Sequence, residues 1–177
     1  MASSPGGFQG RRVVTGIGAN GRSKIVEDED TLTRSDTPGW ITCDVWQIDA
    51  FPPNVKDDNT LVPGDSVMYA PSGGVVWRVS TFPPDSEWDA ATQSGESLGG
   101  LGAAEALAAE GDIPGMHATE TVDVVTIISG EIYAVLEDDE TLLRPGDTII
   151  QRGTKHTWNN RTDKPCVLVA AMIPSVR

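Results

Sequence analysis

The chain has little cysteine, few basic side chains and no long apolar run, and each shortage excludes a class of protein. Cys43 and Cys166 are too few and too far apart for a disulfide framework or a zinc ribbon. Thirteen Lys and Arg stand against 26 Asp and Glu, and a formal net charge of −13 disfavours binding to nucleic acid. No segment approaches the roughly 18 apolar residues of a membrane span.

The N-terminus shows no targeting signal. Residues 1–10 are small and polar, and they predict a flexible lead-in without the apolar segment of a signal peptide. Together with the scarcity of cysteine, this indicates a cytoplasmic protein that does not associate with membranes. The length of 177 residues predicts a single domain over residues 11–177.

The glycines at Gly16, Gly18 and Gly21 have the spacing of a dinucleotide-binding fingerprint. That fingerprint has to open a helix, whereas here a short segment and the acidic run at residues 27–30 follow without a helical period. Asn20-Gly21 is typical of a hairpin turn. We therefore predict a β-hairpin, with the acidic run as a solvated loop.

Short segments rich in β-branched and aromatic residues dominate the remainder of the chain. They predict strands over residues 41–48, 75–82, 121–129, 131–137, 140–143, 148–151, 157–159 and 166–173. Such evenly spaced strands indicate an all-β sandwich or barrel. Residues 85–112 interrupt the pattern and form either one short helix from about Leu101 or a mobile flap that acts as a lid.

The two histidines, His117 and His156, each lie beside a glycine-bearing turn in the strand-rich half. Polar residues follow His117 at alternate positions, namely Thr119, Thr121 and Asp123. In one strand these side chains share a face, which predicts a polar site there. On the opposite face the side chains are mainly apolar and need burial as well, which predicts a homodimer; they are Val122, Val124, Thr126 and Ile128.

The spacing of these residues resembles the two motifs of the cupin superfamily. Residues 111–130 resemble the first motif, which has a glycine, two alternating histidines, a glutamate and a second glycine. Residues 146–160 resemble the second motif. The motif-bearing half covers residues 111–173, and the resemblance implies a double-stranded β-helix (the cupin jelly roll), similar to small cupins of biosynthetic pathways.

Carried over residue by residue, the resemblance implies a divalent metal, Fe, Mn or Zn, held by His117, Asp123 and His156. The chain departs from the family pattern at two ligand positions of the first motif. Thr119 stands where the second histidine is expected, and the shorter Asp123 replaces a glutamate. The alternative is a pocket that binds its substrate without metal.

Polar and aromatic residues around the motifs are candidates for substrate contacts. We expect two aromatic residues to wall an apolar pocket and polar residues to line its interior and mouth. The candidates are Thr119, Thr121, Tyr133, Gln151, Arg152 and Trp158.

The pattern predicts a small-molecule enzyme of specialised metabolism acting on a polyketide- or aromatic-like substrate. The weakened ligand set favours a redox-neutral step, such as isomerisation, cyclisation, dehydration or decarboxylation. His117 and His156 would supply base and acid, and Asp123 would orient one ring. Two alternatives stay open: a non-heme metal-dependent dioxygenase, and a non-catalytic cupin that only binds a small molecule.

Overall fold

The computed structural model describes residues 8, 10–31, 33–56, 68–107 and 113–176, with the side chains of residues 33 and 34 outside that set. The strands in these ranges are β1 (Arg11–Ile17), β2 (Ser23–Asp30), β3 (Thr33–Thr37), β4 (Trp40–Ile48), β5 (Val75–Phe82), β6 (Thr121–Ser129), β7 (Ile132–Val135), β8 (Glu140–Leu143), β9 (Thr148–Arg152), β10 (Thr157–Asn159) and β11 (Cys166–Pro174). The helix α1 spans Ala90–Gly99, and short 3₁₀ turns lie at Asp85–Glu87 and Ala104–Ala106.

Two sheets enclose the core. A six-stranded sheet has the order β3-β4-β5-β11-β6-β9, and a three-stranded sheet has the order β10-β7-β8. The core cluster draws on both, with Val125 and Leu168 from the first and Ile132 from the second. The rings of Phe82 and Trp158 lie 6.1 Å apart across the two sheets. The predicted all-β jelly roll is confirmed.

β1 and β2 form a separate two-stranded hairpin. Its turn is the predicted one, because Gly21 has φ +74° and the Gly18 N–H donates to the Arg22 carbonyl at 2.9 Å. The positive φ is the conformation that favours glycine over other residues.

The acidic run at residues 27–30, predicted as a loop, belongs to strand β2. The basic side chains of the paired strand β1 explain this difference. Arg12 forms ion pairs with Glu27 and Glu29, and Arg11 Nε donates to Asp28 Oδ1 at 2.6 Å. Opposite charges on paired strands stabilise the pairing, so the run extends the strand.

The helix lies about ten residues earlier than predicted. Asp89 caps α1, since its carboxylate accepts the Ala91 N–H at 3.0 Å. Glycines end the helix at residues 99–102, and Gly102 has φ +66°. From Leu101 the chain forms turns and a 3₁₀ turn rather than the predicted helix, and residues 108–112 of the predicted flap lie outside the described residues.

Much of the predicted flexible lead-in over residues 1–10 also lies outside the described residues. Phe8 is described, and its N–H donates to Thr81 Oγ1 on β5 at 3.3 Å. Cys43 and Cys166 are both buried thiols. Within the described ranges, no helix combines the length and the apolar character needed to cross a membrane.

Candidate active site

A cavity of about 620 Å³, including its open mouth, lies on the inner face of the six-stranded sheet. Its walls are mostly apolar and include Trp40, Phe82, Val125, Trp158 and Leu168. Polar side chains from β4, β5, β6 and β9, and from the segments that carry the two histidines, interrupt this surface. An apolar cavity with a few convergent polar groups is typical of small-molecule sites.

The two histidines face each other at the cavity. Their backbones exchange two hydrogen bonds, His117 N–H to His156 O and the reverse, each of 2.9 Å. The imidazole centroids are 4.4 Å apart with the planes at 50°. Trp40 flanks the His117 ring at 6.3 Å, and Trp158 meets the His156 ring edge-on at 5.7 Å. Two motifs distant in sequence thus deliver one imidazole pair.

Backbone carbonyls fix the tautomer of both rings. His117 Nδ1 lies 2.9 Å from the Gly115 carbonyl, and His156 Nδ1 lies 2.9 Å from the Thr154 carbonyl. A carbonyl oxygen only accepts, so Nδ1 carries the hydrogen and Nε2 of the neutral ring is left as a lone pair.

Burial keeps the two rings neutral. It lowers the pKa of His117, and burial together with the neighbouring His117 lowers the pKa of His156 to about 3. Neither ring holds a second proton at neutral pH. The sequence predicts the roles of base and acid for these two residues, whereas two neutral rings that each present an Nε2 lone pair both have the character of a base.

Asp123 lies on β6 and is 6% exposed. Burial raises the pKa of its carboxyl to about 6, against the opposing effects of a hydrogen bond with Thr121 and the charge of Arg78. The Thr121 hydroxyl also lies 2.7 Å from the Thr119 hydroxyl. Asp123 Oδ1 is buried without a hydrogen-bond partner.

Among the three residues of the implied metal set, only the two histidines are arranged like metal ligands. Each directs Nδ1 to a carbonyl and leaves Nε2 as a potential ligand, as metal-bound histidines do. The described residues, however, contain no group of three or more His, Cys, Asp or Glu side chains that could hold a metal ion. The implied set of His117, Asp123 and His156 does not assemble as a three-ligand centre, so the residues do not fit the metal that the resemblance implies.

Gln151 lies directly opposite Asp123 in the β6–β9 ladder. Its Oε1 accepts the Thr154 hydroxyl at 2.7 Å. Its Nε2 is buried and has no hydrogen-bond partner. Gln151 therefore lines the cavity as predicted, beside the carboxyl of Asp123.

The sequence alone does not fix the direction of the side chains on the two earlier strands, β4 and β5. Arg78 on β5 lines the cavity, and its Nε donates to Asp44 Oδ1 on β4 at 2.6 Å. Both side chains are nearly inaccessible, at 3% and 5% exposure. Thr42, two residues before Asp44, also lines the cavity. Alternate residues of a strand share a face, and this period also brings Ser80 and Phe82 to the lining. It is the sequence signal by which Arg78 could have been assigned to the cavity face.

Three of the predicted substrate contacts lie elsewhere. Tyr133 is outside the lining and packs under Arg161, whose guanidinium carbon is 4.0 Å from the ring centroid. Arg152 is exposed, because alternation along β9 directs Gln151 inward and its neighbour outward. Thr121 is buried behind Thr119 and Asp123 and does not reach the cavity. Thr119, Gln151 and Trp158 line it.

The predicted continuous strand from His117 to Asp123 is also corrected. β6 begins only at Thr121, and His117 is held by isolated bridges to Leu107 and His156. His117, Thr119 and Asp123 still reach one cavity, but from a strand and an irregular segment rather than from one strand face.

Comparison with known proteins places residues 105–172 in the family of the cupin domain, Cupin_2. Among curated proteins, the chain is 46% identical over 48 residues to the Phomopsin biosynthesis cluster proteins C' and D of Diaporthe leptostromiformis. It is 44% identical over 48 residues to the Oryzines biosynthesis cluster protein J of Aspergillus oryzae. These matches cover 27% of this chain and 25–27% of the relatives, so the similarity spans about a quarter of their length.

Among solved structures, a putative ethanolamine utilization protein from Salmonella typhimurium aligns with 96% of this chain and 100% of its own. The TM-score is 0.43 at 9% identity. A cupin domain of a transcriptional regulator from Enterobacter cloacae aligns with 58% of this chain and 83% of its own, with a TM-score of 0.36 at 14% identity.

Proposed function

We propose that this chain, whose residues 105–172 match the cupin domain, is a small-molecule enzyme of specialised metabolism. The relatives named for phomopsin and oryzine biosynthesis clusters support that setting. Within it, we propose a redox-neutral step, such as isomerisation, cyclisation, dehydration or decarboxylation. The observation that carries this proposal is the buried pair of neutral imidazoles, each with its Nδ1 bonded to a backbone carbonyl.

The imidazole pair would act as the proton acceptor. A fixed Nε2 lone pair in an apolar cavity can take a proton from an acidic C–H or O–H of the substrate and return it to another substrate atom. Trp40 and Trp158 flank the rings and would limit the access of water. Asp123, positioned by Thr121, would hydrogen-bond the substrate from the sheet side of the cavity.

The experiment starts from the small molecules that co-purify with the protein, identified by mass spectrometry. These molecules are returned to the purified protein in D₂O without oxygen. We expect deuterium to enter a carbon-bound position of the ligand. Replacing either histidine by asparagine should abolish the incorporation, since the ring Nε2 is lost. Arg152→Ala, an exposed change on β9, is the matched control and should leave it intact.

The remaining alternatives are outcomes of the same experiment. Oxygen uptake in proportion to product, dependent on added iron, would replace this proposal with a metal-dependent dioxygenase. Ligand that binds but neither exchanges nor converts would indicate a non-catalytic binding protein. The buried Nε2 pair is the feature that favours deuterium incorporation over both.

We also propose that the protein is a homodimer joined through the outer face of the six-stranded sheet. Val124 and Ile150 are 37% and 50% exposed there, although they are apolar and lie on neighbouring strands. A solvated face of an antiparallel sheet normally carries polar side chains. The cytoplasmic location and the lack of nucleic-acid binding stay predictions of the sequence.

A further inference from the structure

Two residues on neighbouring strands of the cavity wall each carry a buried polar atom without a hydrogen-bond partner. Asp123 Oδ1 and Gln151 Nε2 are both buried and make no hydrogen bond. The residues are opposed across the β6–β9 ladder, which places their Cβ atoms about 5 Å apart. One atom is a hydrogen-bond acceptor and the other is a donor. The wall therefore carries a donor and an acceptor side by side.

A second bond on each side chain fixes this arrangement. The Thr154 hydroxyl donates to Gln151 Oε1 at 2.7 Å, which orients the amide and leaves Nε2 without a partner. Thr121 hydrogen-bonds Asp123 and leaves Oδ1. Burying a polar atom without a partner is unfavourable, and both residues line the cavity. A ligand with matching atoms would satisfy both.

We propose that Asp123 and Gln151 bind an amide group of the substrate whose C=O and N–H lie on the same side, as in a primary carboxamide or a lactam. The substrate carbonyl accepts from Gln151 Nε2, and its N–H donates to Asp123 Oδ1. This inference rests on the proposed function, because it names the substrate class of the same cavity. The aromatic walls formed by Trp40, Phe82 and Trp158 suit an apolar body attached to that amide.

The charges around the cavity favour a neutral amide over a carboxylate. Arg78 is the cation in the lining, and it is bonded to the carboxylate of Asp44. Asp123 adds a second carboxyl next to Gln151. No positive charge in excess of these carboxyls is present in the described lining, so an anionic substrate group would meet net repulsion.

The test measures binding of three probes of similar size by ligand-observed NMR titration with the purified full chain. Benzamide has both the C=O and the N–H, acetophenone has only the C=O, and benzoate replaces the N–H with a charged oxygen. We expect benzamide to bind about tenfold more tightly than either of the others. Gln151→Leu should remove that preference, whereas Arg152→Ala on the same strand should keep it.

Equal affinities for the three probes, or a preference that survives Gln151→Leu, would overturn the inference. If Gln151→Leu does not fold, Thr154→Val takes its place, since Thr154 is exposed and its loss releases the amide without a change in the wall. That variant should reduce the benzamide preference.

Because binding is measured without turnover, loss of the preference alongside intact deuterium exchange overturns this inference alone. Intact preference without exchange overturns the proposed activity alone.

Discussion

Two neutral imidazoles in an apolar cavity make the folded state sensitive to acid. Burial lowers the pKa of His156 from 6.5 to about 3, and it lowers the pKa of His117 as well. As the pH falls below 6.5, the unfolded chain takes up protons that the folded chain does not, so the free energy of unfolding decreases. Asp123 acts in the opposite sense, because its raised pKa of about 6 gives stability that is lost as the pH rises above 3.8.

We predict that the two histidines outweigh Asp123, so that the free energy of unfolding rises between about pH 5 and about pH 7. His156→Asn should flatten this rise, since the asparagine amide keeps a donor near the Thr154 carbonyl but does not titrate. Urea unfolding at both pH values measures the difference. An unchanged pH dependence in the variant would show that the His156 ring titrates freely in the folded state.

We predict that the stability of the fold depends on both charges of the ion pair between Arg78 and Asp44. Asp44→Asn should lower the free energy of unfolding by about 3 kcal/mol, because it leaves the guanidinium of Arg78 buried without its counter-charge. The matched control is Glu140→Gln. It breaks the exposed pair of Glu140 and Arg161 and should leave the free energy of unfolding nearly unchanged, because exposed ion pairs contribute little. If chemical denaturation gave the same loss of unfolding free energy for both variants, the burial of Arg78 would not be the reason for the importance of its ion pair.

At the site, the sequence located the residues that the motif spacing marks. His117, Asp123 and His156 could be found because each lies at a fixed interval from a glycine turn. The sequence could not show that Asp123 stays apart from the histidine pair, since that depends on where β6 begins. It also could not orient Arg78. Its neighbours on β5, Trp77 and Val79, are apolar. The alternation along the strand therefore predicts that they are buried and that Arg78 faces solvent.

At the scale of elements, strands were predictable and the exceptions involve long-range partners. β5, β6 and β11 follow their β-branched runs within a residue or so. β2 runs through the acidic residues only because Arg11 and Arg12 face them from β1. The helix at Ala90–Gly99 has no clear apolar period, and its main local signal is the Asp89 cap. The alanine-rich segment after Leu101 has the higher helix propensity, so the sequence predicts the helix there instead.

The β1–β2 hairpin should depend on Arg12 for its attachment to the sheet. Arg12 Nη1 donates to the Val45 carbonyl on β4 at 3.3 Å, and its guanidinium lies 5.9 Å from the Trp46 ring. We predict that Arg12→Ala speeds amide hydrogen exchange over residues 11–30 by about tenfold or more, because local opening becomes easier. Arg11→Ala removes only an exposed pair and is the control. Equal exchange in the two variants would place the attachment elsewhere.

At the scale of the whole molecule, the outer face of the large sheet contrasts with the acidic composition. The formal net charge of −13 would be expected to spread over every exposed face. Instead, an apolar row crosses four strands at one level, since Trp77 pairs with Ala171, Ala171 with Val124 and Val124 with Ile150. Trp77 and Ile150 are 48% and 50% exposed.

A second copy of the chain fits this row, because a two-fold axis brings the same apolar patch onto itself and keeps the acidic faces apart. We predict a dimer at micromolar concentration in sedimentation velocity. Val124→Lys should convert it to a monomer, since two lysines would meet near the axis without counter-charges. Ile17→Lys is the control, because it replaces an apolar residue that is 72% exposed on the hairpin and outside the row. A wild-type monomer, or dissociation by both changes alike, would mean that this face is not the interface, whereas selective loss with Val124→Lys would place the two-fold contact on β6.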